Sequence, residues 1–179
     1  DTFGYNVLTN RLYGLFGNSN TMACMWAIGL FLSIYLLIQS NGRERIWPCI
    51  TLIINSVTFL LCISLGATSA LGLTILLVAV LLHGAKNRLT FLLIVLETLI
   101  VAGLVTLLSI SHLGSPGPAG YLVWLFCFLG IAALFGLDHI LRPRLVDILC
   151  RRIKILSIGV VALVVVLCGG SVLLFSHPT

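Results

Sequence analysis

Residues 89–110 read LTFLLIVLETLIVAGLVTLLSI, an apolar run whose single ionisable side chain, Glu97, falls near the middle. A helix of that length rises about 33 Å, enough to cross a hydrocarbon core about 30 Å thick. The stretch therefore predicts a transmembrane helix with a carboxyl group deep inside it. Upstream, Lys86-Asn87-Arg88 forms a basic turn, preceded by an apolar stretch over residues 46–84. As one helix that stretch would be nearly 60 Å long, about twice what one pass needs. The small, polar patch Gly66-Ala67-Thr68-Ser69 is the predicted break, giving spans over about 46–65 and 69–84.

Further out, a first span over about 22–39 stops at SNGRER, where Ser40, Asn41 and Gly42 break the helix and Arg43, Glu44 and Arg45 return it to water. Downstream, the SHLGSPGPAG stretch at 111–120 cannot continue a helix. A fifth span over about 119–141 follows, then the charged segment RPRLVDILCRRIK and a last span over about 153–175. Residues 1–21 mix Phe3, Tyr5, Tyr13 and Phe16 with Asn and Gly, which suits a segment lying at the membrane interface. The expected fold is all-α, an integral membrane bundle of about six transmembrane helices.

Composition agrees. Of 179 residues, 60% are hydrophobic and 8% charged, and the mean hydropathy is +1.19, whereas an ordinary soluble domain is about a quarter charged. The net charge of +5 does not point to nucleic acid, because the cations sit in short loops and no aromatic residues interleave with them on a polar face. Their placement is a topology signal. Arg43 and Arg45, Lys86 and Arg88, and Arg142, Arg144, Arg151, Arg152 and Lys154 fall in the first, third and fifth loops, so nine of ten share one side. The positive-inside bias puts that side in the cytoplasm or mitochondrial matrix and both termini opposite. Small residues at Ala132 and Gly136, and at Gly169-Gly170, are expected sites of close helix approach.

A charge at the bilayer centre costs about 2.5–3.5 kcal/mol on insertion scales, so an intramembrane acid usually faces protein or a water path. Glu97 has no local partner in sequence. One reading keeps it protonated in a single interhelical hydrogen bond, for instance to Asn55; the favoured one makes it a proton-handling group. Asp138 has Arg142 one turn on, a spacing that makes an ion pair. His83, His112, His139 and His177 all sit at expected span ends, Asp147 lies in a basic loop as a solvated partner, and no metal ligand set is expected. Cys24, Cys49, Cys62, Cys127, Cys150 and Cys168 lack CxxC spacing and read as small buried thiols.

Residues 71–142 resemble the small three-helix membrane subunit of respiratory complex I, called subunit 4L in mitochondria and subunit K in bacteria. That family has a pattern close to N-L-x-F-x-L-I-x-L-E with an Ala five residues on. This chain reads NRLTFLLIVLETLIVA, with Lys86 and Arg88 as the basic turn, then Leu89, Phe91, Leu93, Ile94, Leu96, Glu97 and Ala102. The run LFCFLGIAALFGL is similar to the family's third helix, but residues 130–133 hold no acid where the family has a second glutamate. Asp138 is the secondary relay acid that could stand in for it.

The resemblance implies a three-helix core over 66–142, two added helices over 22–65, and a basic loop with an added helix over 143–179. It implies a membrane-arm subunit of proton-pumping NADH:ubiquinone oxidoreductase, with Glu97 in the proton relay and no activity in isolation. NADH, flavin, iron–sulfur clusters and quinone would be held by other subunits, and none by this chain. The implied partners are the other membrane-arm subunits and lipid, and the implied location is the mitochondrial inner membrane, or else a bacterial plasma membrane. A chain that opens on Asp1 rather than Met fits removal of a targeting peptide. Two rival classes stand beside this one: a small independent proton-coupled transporter or channel, and a structural subunit or assembly factor in which Glu97 is dispensable.

Overall fold

The computed structural model describes residues 17–112 and 119–150, together with residues 5–6, 11–12 and 14. The last expected span, with Arg151, Arg152, Lys154, Cys168, Gly169-Gly170 and His177, lies outside the described residues. Within them the chain is a helical bundle. At its N-terminus, Tyr5–Asn6 pairs antiparallel with Arg11–Leu12 in a two-residue bridge.

Helix α1, Ser19–Gln39, starts where the Asn18 side chain accepts a hydrogen bond from the Asn20 backbone N–H at 2.8 Å. It stops at extended Ser40, and Gly42 takes the left-handed φ of +56° that favours glycine. A 3-10 turn, Gly42–Arg45, leads into α2, Ile46–Cys62, with Pro48 in the first turn, where its missing N–H does no harm. Arg45 Nη2 reaches back to the Leu37 carbonyl at 3.4 Å and so serves one of the carbonyls left open at the end of α1.

The break inside the long apolar stretch falls at Ile63 and Ser64, earlier than the predicted patch at residues 66–69. Ile63 adopts a left-handed φ of +46°, and the Ser64 hydroxyl accepts from the Ala67 backbone N–H while donating to Asn20. A serine cap thus starts α3, Leu65–Leu81, and the small residues of the predicted patch lie inside its first turns. Arg88 Nη2 donates to the Leu82 carbonyl at 3.3 Å, closing the end of α3 as Arg45 closes α1, and Gly84 turns the chain at φ +86°. Helix α4, Ala85–Ile110, follows. After residues 113–118 come α5, Ala119–Gly136, a π-helical turn, Leu137–Leu141, and α6, Arg142–Cys150.

Among the described residues, four helices are long and apolar enough to cross a membrane: Ser19–Gln39, Gly42–Cys62, Ala85–Ile110 and Tyr121–Cys150. At 17 residues, α3 rises about 26 Å, short of a full hydrocarbon core. The expectation of an all-α membrane bundle therefore holds at the level of four spanning-length helices, and the count of six is not reached among the described residues. The fifth span also runs further than expected. Its helix continues through the π turn to Cys150, so Asp138 and Arg142 lie in the body of a 30-residue rod rather than at its exit.

Helix α4 is the centre. Phe91, Leu92, Leu93, Ile94 and Val95 are all buried, an apolar surface on every side that needs neighbours all round. Those neighbours are α2 and α5 most closely, then α6, α1 and α3. The close approaches are at Gly130 and Gly29, not at Ala132 or Gly136. A Cβ at Gly130 would lie 2.6 Å from Val105, and one at Gly29 would lie 2.9 Å from Asn55. Among the described residues a Cβ at Gly136 would meet nothing within 4 Å, and Ala132 is exposed. The outer surface is greasy: Leu73, Val80, Leu107, Tyr121, Trp124 and Phe128 are each between 65% and 75% exposed. Lipid is the solvent such a surface suits, and the hydroxyls of Ser33, Ser56, Thr58 and Thr74 bond back to carbonyls four residues earlier, needing no water.

Candidate functional site

Glu97 is not alone. It stands twelve residues into α4, about 18 Å along the helix, and is only 7% exposed. One of its oxygens, Oε2, accepts from Arg142 Nε at 3.1 Å and from Arg142 Nη2 at 2.5 Å. The expected alternative partner, Asn55, instead donates to Ser33 Oγ at 3.1 Å, tying α2 to α1. The sequence offers Glu97 no local partner, because Arg142 falls in the expected fifth loop, where its spacing pairs it with Asp138. In fact Arg142 is 3% exposed. Apolar residues at 141, 145, 146 and 149 repeat with helical spacing, a signal that the helix continues past Arg142 and carries it inward.

From Arg142 the charges alternate toward the basic end. Arg142 Nη1 donates to Asp138 Oδ1, the i,i+4 pair expected from sequence. The other Asp138 oxygen lies 2.9 Å from Arg45 Nε, a Coulombic contact in which neither atom meets the angular demands of a hydrogen bond. The result is a chain, Glu97–Arg142–Asp138–Arg45, that joins α4, the π turn and the residue just before α2. With all four groups ionised the charges sum to zero, which is how a protein can keep them out of water.

The π turn contributes to this arrangement. Its wider winding, marked by the Arg142 N–H bonding to the Leu137 carbonyl five residues back, is the local setting in which Asp138 and Arg142 meet on one face. Such turns cost backbone geometry and are frequent at functional sites. Among the described residues, Glu97 Oε1 is buried without a hydrogen-bond partner. Nearby Thr98 is likewise buried, its hydroxyl unpaired among the described residues, and it lines a small apolar crevice of about 40 Å³ between α1, α2, α3 and α4.

The other singled-out residues fall elsewhere. Lys86 and Asp147 are exposed at the basic end, and Arg88 is the cap on α3 already described. His83 and His139 are exposed, the latter stacked on Phe135 at 5.9 Å, and His112 lies 6.0 Å from Phe126. Among the described residues no three His, Cys, Asp or Glu side chains gather as a metal site requires, and Cys24, Cys49, Cys62, Cys127 and Cys150 are free thiols.

No family model, curated protein or solved structure matches this chain. The resemblance to the complex I subunit therefore rests on the sequence patterns around Glu97 and over residues 125–137.

Chemically, the site is an arginine shared by two carboxylates. Arginine does not give up its proton, so Arg142 cannot itself pass one. It can change which carboxylate it serves. A proton added at the free Oε1 would neutralise Glu97 and leave Arg142 to Asp138, while a proton on Asp138 would do the reverse.

Proposed function

We propose that this chain is a proton-handling membrane subunit, in which Glu97 and Asp138 take up protons alternately and Arg142 follows the charge between them. The observation that carries this reading is the buried, alternating ion chain from the middle of α4 to the basic end of the bundle. Adding one proton turns a neutral buried group into one with a net charge of +1. That state is costly in low dielectric unless a neighbouring charge moves in response. Proton uptake is thereby coupled to rearrangement nearby, which is what a relay within a larger machine needs.

The motif NRLTFLLIVLETLIVA supports a specific setting, the membrane arm of NADH:ubiquinone oxidoreductase. There the redox cofactors sit on other subunits, the partners are other membrane-arm chains and lipid, and the basic loops face the matrix of a mitochondrial inner membrane. Asp138 then takes the place of the second acid. The full pairing of the four charges favours a second reading, an electrostatic staple with no proton traffic.

Gentle solubilisation of the native membrane and separation by size tests the setting. Migration with NADH-dehydrogenase activity at several hundred kilodaltons is expected, and a small species free of that activity overturns it. Glu97→Gln separates relay from staple: the relay predicts an assembled complex that has lost proton pumping, the staple an unassembled chain.

A further inference from the structure

At the basic end of the bundle the helices part around a cavity of about 230 Å³, room for about seven waters at about 30 Å³ each. Its walls combine the charged side chains of Arg45, Lys86, Asp138, Arg142 and Asp147 with Thr90 and the apolar Pro143 and Val146. Lys86 and Asp147 are exposed, so the cavity meets the aqueous side. An acyl chain there would lie against five charged side chains, whereas water can hydrogen-bond to each of them. The Asp138 side chain is 0% exposed, while Arg45, which touches it, is 23% exposed. Arg45 thus covers the carboxylate on its wet side. Its hold is loose: the contact to Asp138 lacks hydrogen-bond geometry, and its other bond, to the Leu37 carbonyl, is 3.4 Å long.

We propose that this cavity is a water-filled vestibule through which protons from the basic side of the membrane reach Asp138, with Arg45 as the gate over it. The inference rests on the relay reading and adds the side of entry and the entry residue. When the Arg45 guanidinium swings toward the cavity water, a hydronium ion can pass its proton to Asp138 Oδ2. One O–H bond forms on the carboxylate, one breaks on the hydronium, and a water molecule stays behind. Arg142 then remains with Glu97 alone. The cavity walls contributed by Thr90 and Val146 come from helices α4 and α6, so water can be detected from both sides of the vestibule.

The test places single cysteines on the two walls, Thr90→Cys and Val146→Cys, with Thr98→Cys in the apolar crevice as the dry control. Each is expressed in the full chain in its native membrane, and sealed vesicles of each orientation are treated with the anionic, membrane-impermeant sulfonatoethyl methanethiosulfonate. Modification at each site is read by peptide mass against the wild-type chain with its six native cysteines. Either wall position is expected to react from the basic side at least about tenfold faster than Thr98→Cys, because the reactive thiolate forms in hydrated surroundings. If neither does, or if they react only from the opposite side, the vestibule is overturned. Loss of the relay reading would show separately, as undiminished proton pumping in Glu97→Gln.

Discussion

Arg142 is the residue on which the site turns, because it touches both carboxylates and is itself almost fully buried. Removing it leaves Glu97, Asp138 and Arg45 with a net charge of −1, both carboxylates being buried. Breaking a buried pair from one side costs about 3–5 kcal/mol, mostly for the charge left behind. Arg142→Met is therefore expected to lower the steady-state level of the chain in the membrane sharply. Adding Glu97→Gln to Arg142→Met returns the sum to zero, with Asp138 and Arg45 still paired, and is expected to recover much of that level on an immunoblot. If the double variant is as depleted as the single one, charge balance is not what Arg142 supplies. At this scale the sequence was half legible. An acid among Leu93, Ile94, Ile100 and Val101 is conspicuous in a one-dimensional reading, and the Asp138–Arg142 spacing is local. The bond from Arg142 to Glu97 spans 45 residues, and no local pattern encodes a contact at that separation.

Among the helices, where one stops is decided by single side chains rather than by composition. The apolar stretch over 46–84 was expected to break at its small residues, yet it breaks where a serine hydroxyl can cap the next helix. Ile63 carries the turn in a left-handed conformation that costs a non-glycine residue about 1–2 kcal/mol, so the cap and the packing of α2 and α3 must outweigh it. Likewise, a small-xxx-small pattern does not say which glycine meets a neighbour. Gly130 lies against Val105, Val101 and Ile53, whereas Gly136 has no such neighbour among the described residues. Gly130→Val is expected to pry α5 from α4 and destabilise the bundle by about 1–3 kcal/mol, as overpacking commonly does. Gly136→Ala is expected to leave the melting temperature of the solubilised protein unchanged or slightly raised. Equal effects of the two would mean that the α4–α5 contact is not the tight one.

For the molecule as a whole, the charge pattern read from the sequence has a geometric counterpart. Arg45 from the first loop, Lys86 from the third and Asp147 from the segment after α5 line one cavity, so these three parts of the chain come together at one end of the bundle. Cysteines at Arg43→Cys and Lys86→Cys are expected to react with an impermeant thiol reagent from the same face of the membrane, and Gly66→Cys from the other. Reaction of Arg43→Cys and Lys86→Cys from opposite faces would refute the alternation. The helical class and most spans were legible because apolar length and loop charge are local, additive properties. The rod from Tyr121 to Cys150 was not, since charged residues at 142 and 144 look like an exit when their partners are unseen.

The long separation between the members of the ion chain also sets an order of events during synthesis. Glu97 leaves the ribosome 45 residues ahead of Arg142, and Arg45 precedes Asp138 by a still longer stretch of chain. Helix α4 thus meets the membrane before its cation exists, and α2 before its anion. Only when α5 folds back are all four charges settled, so the helix that comes last among them acts as a latch on those already inserted.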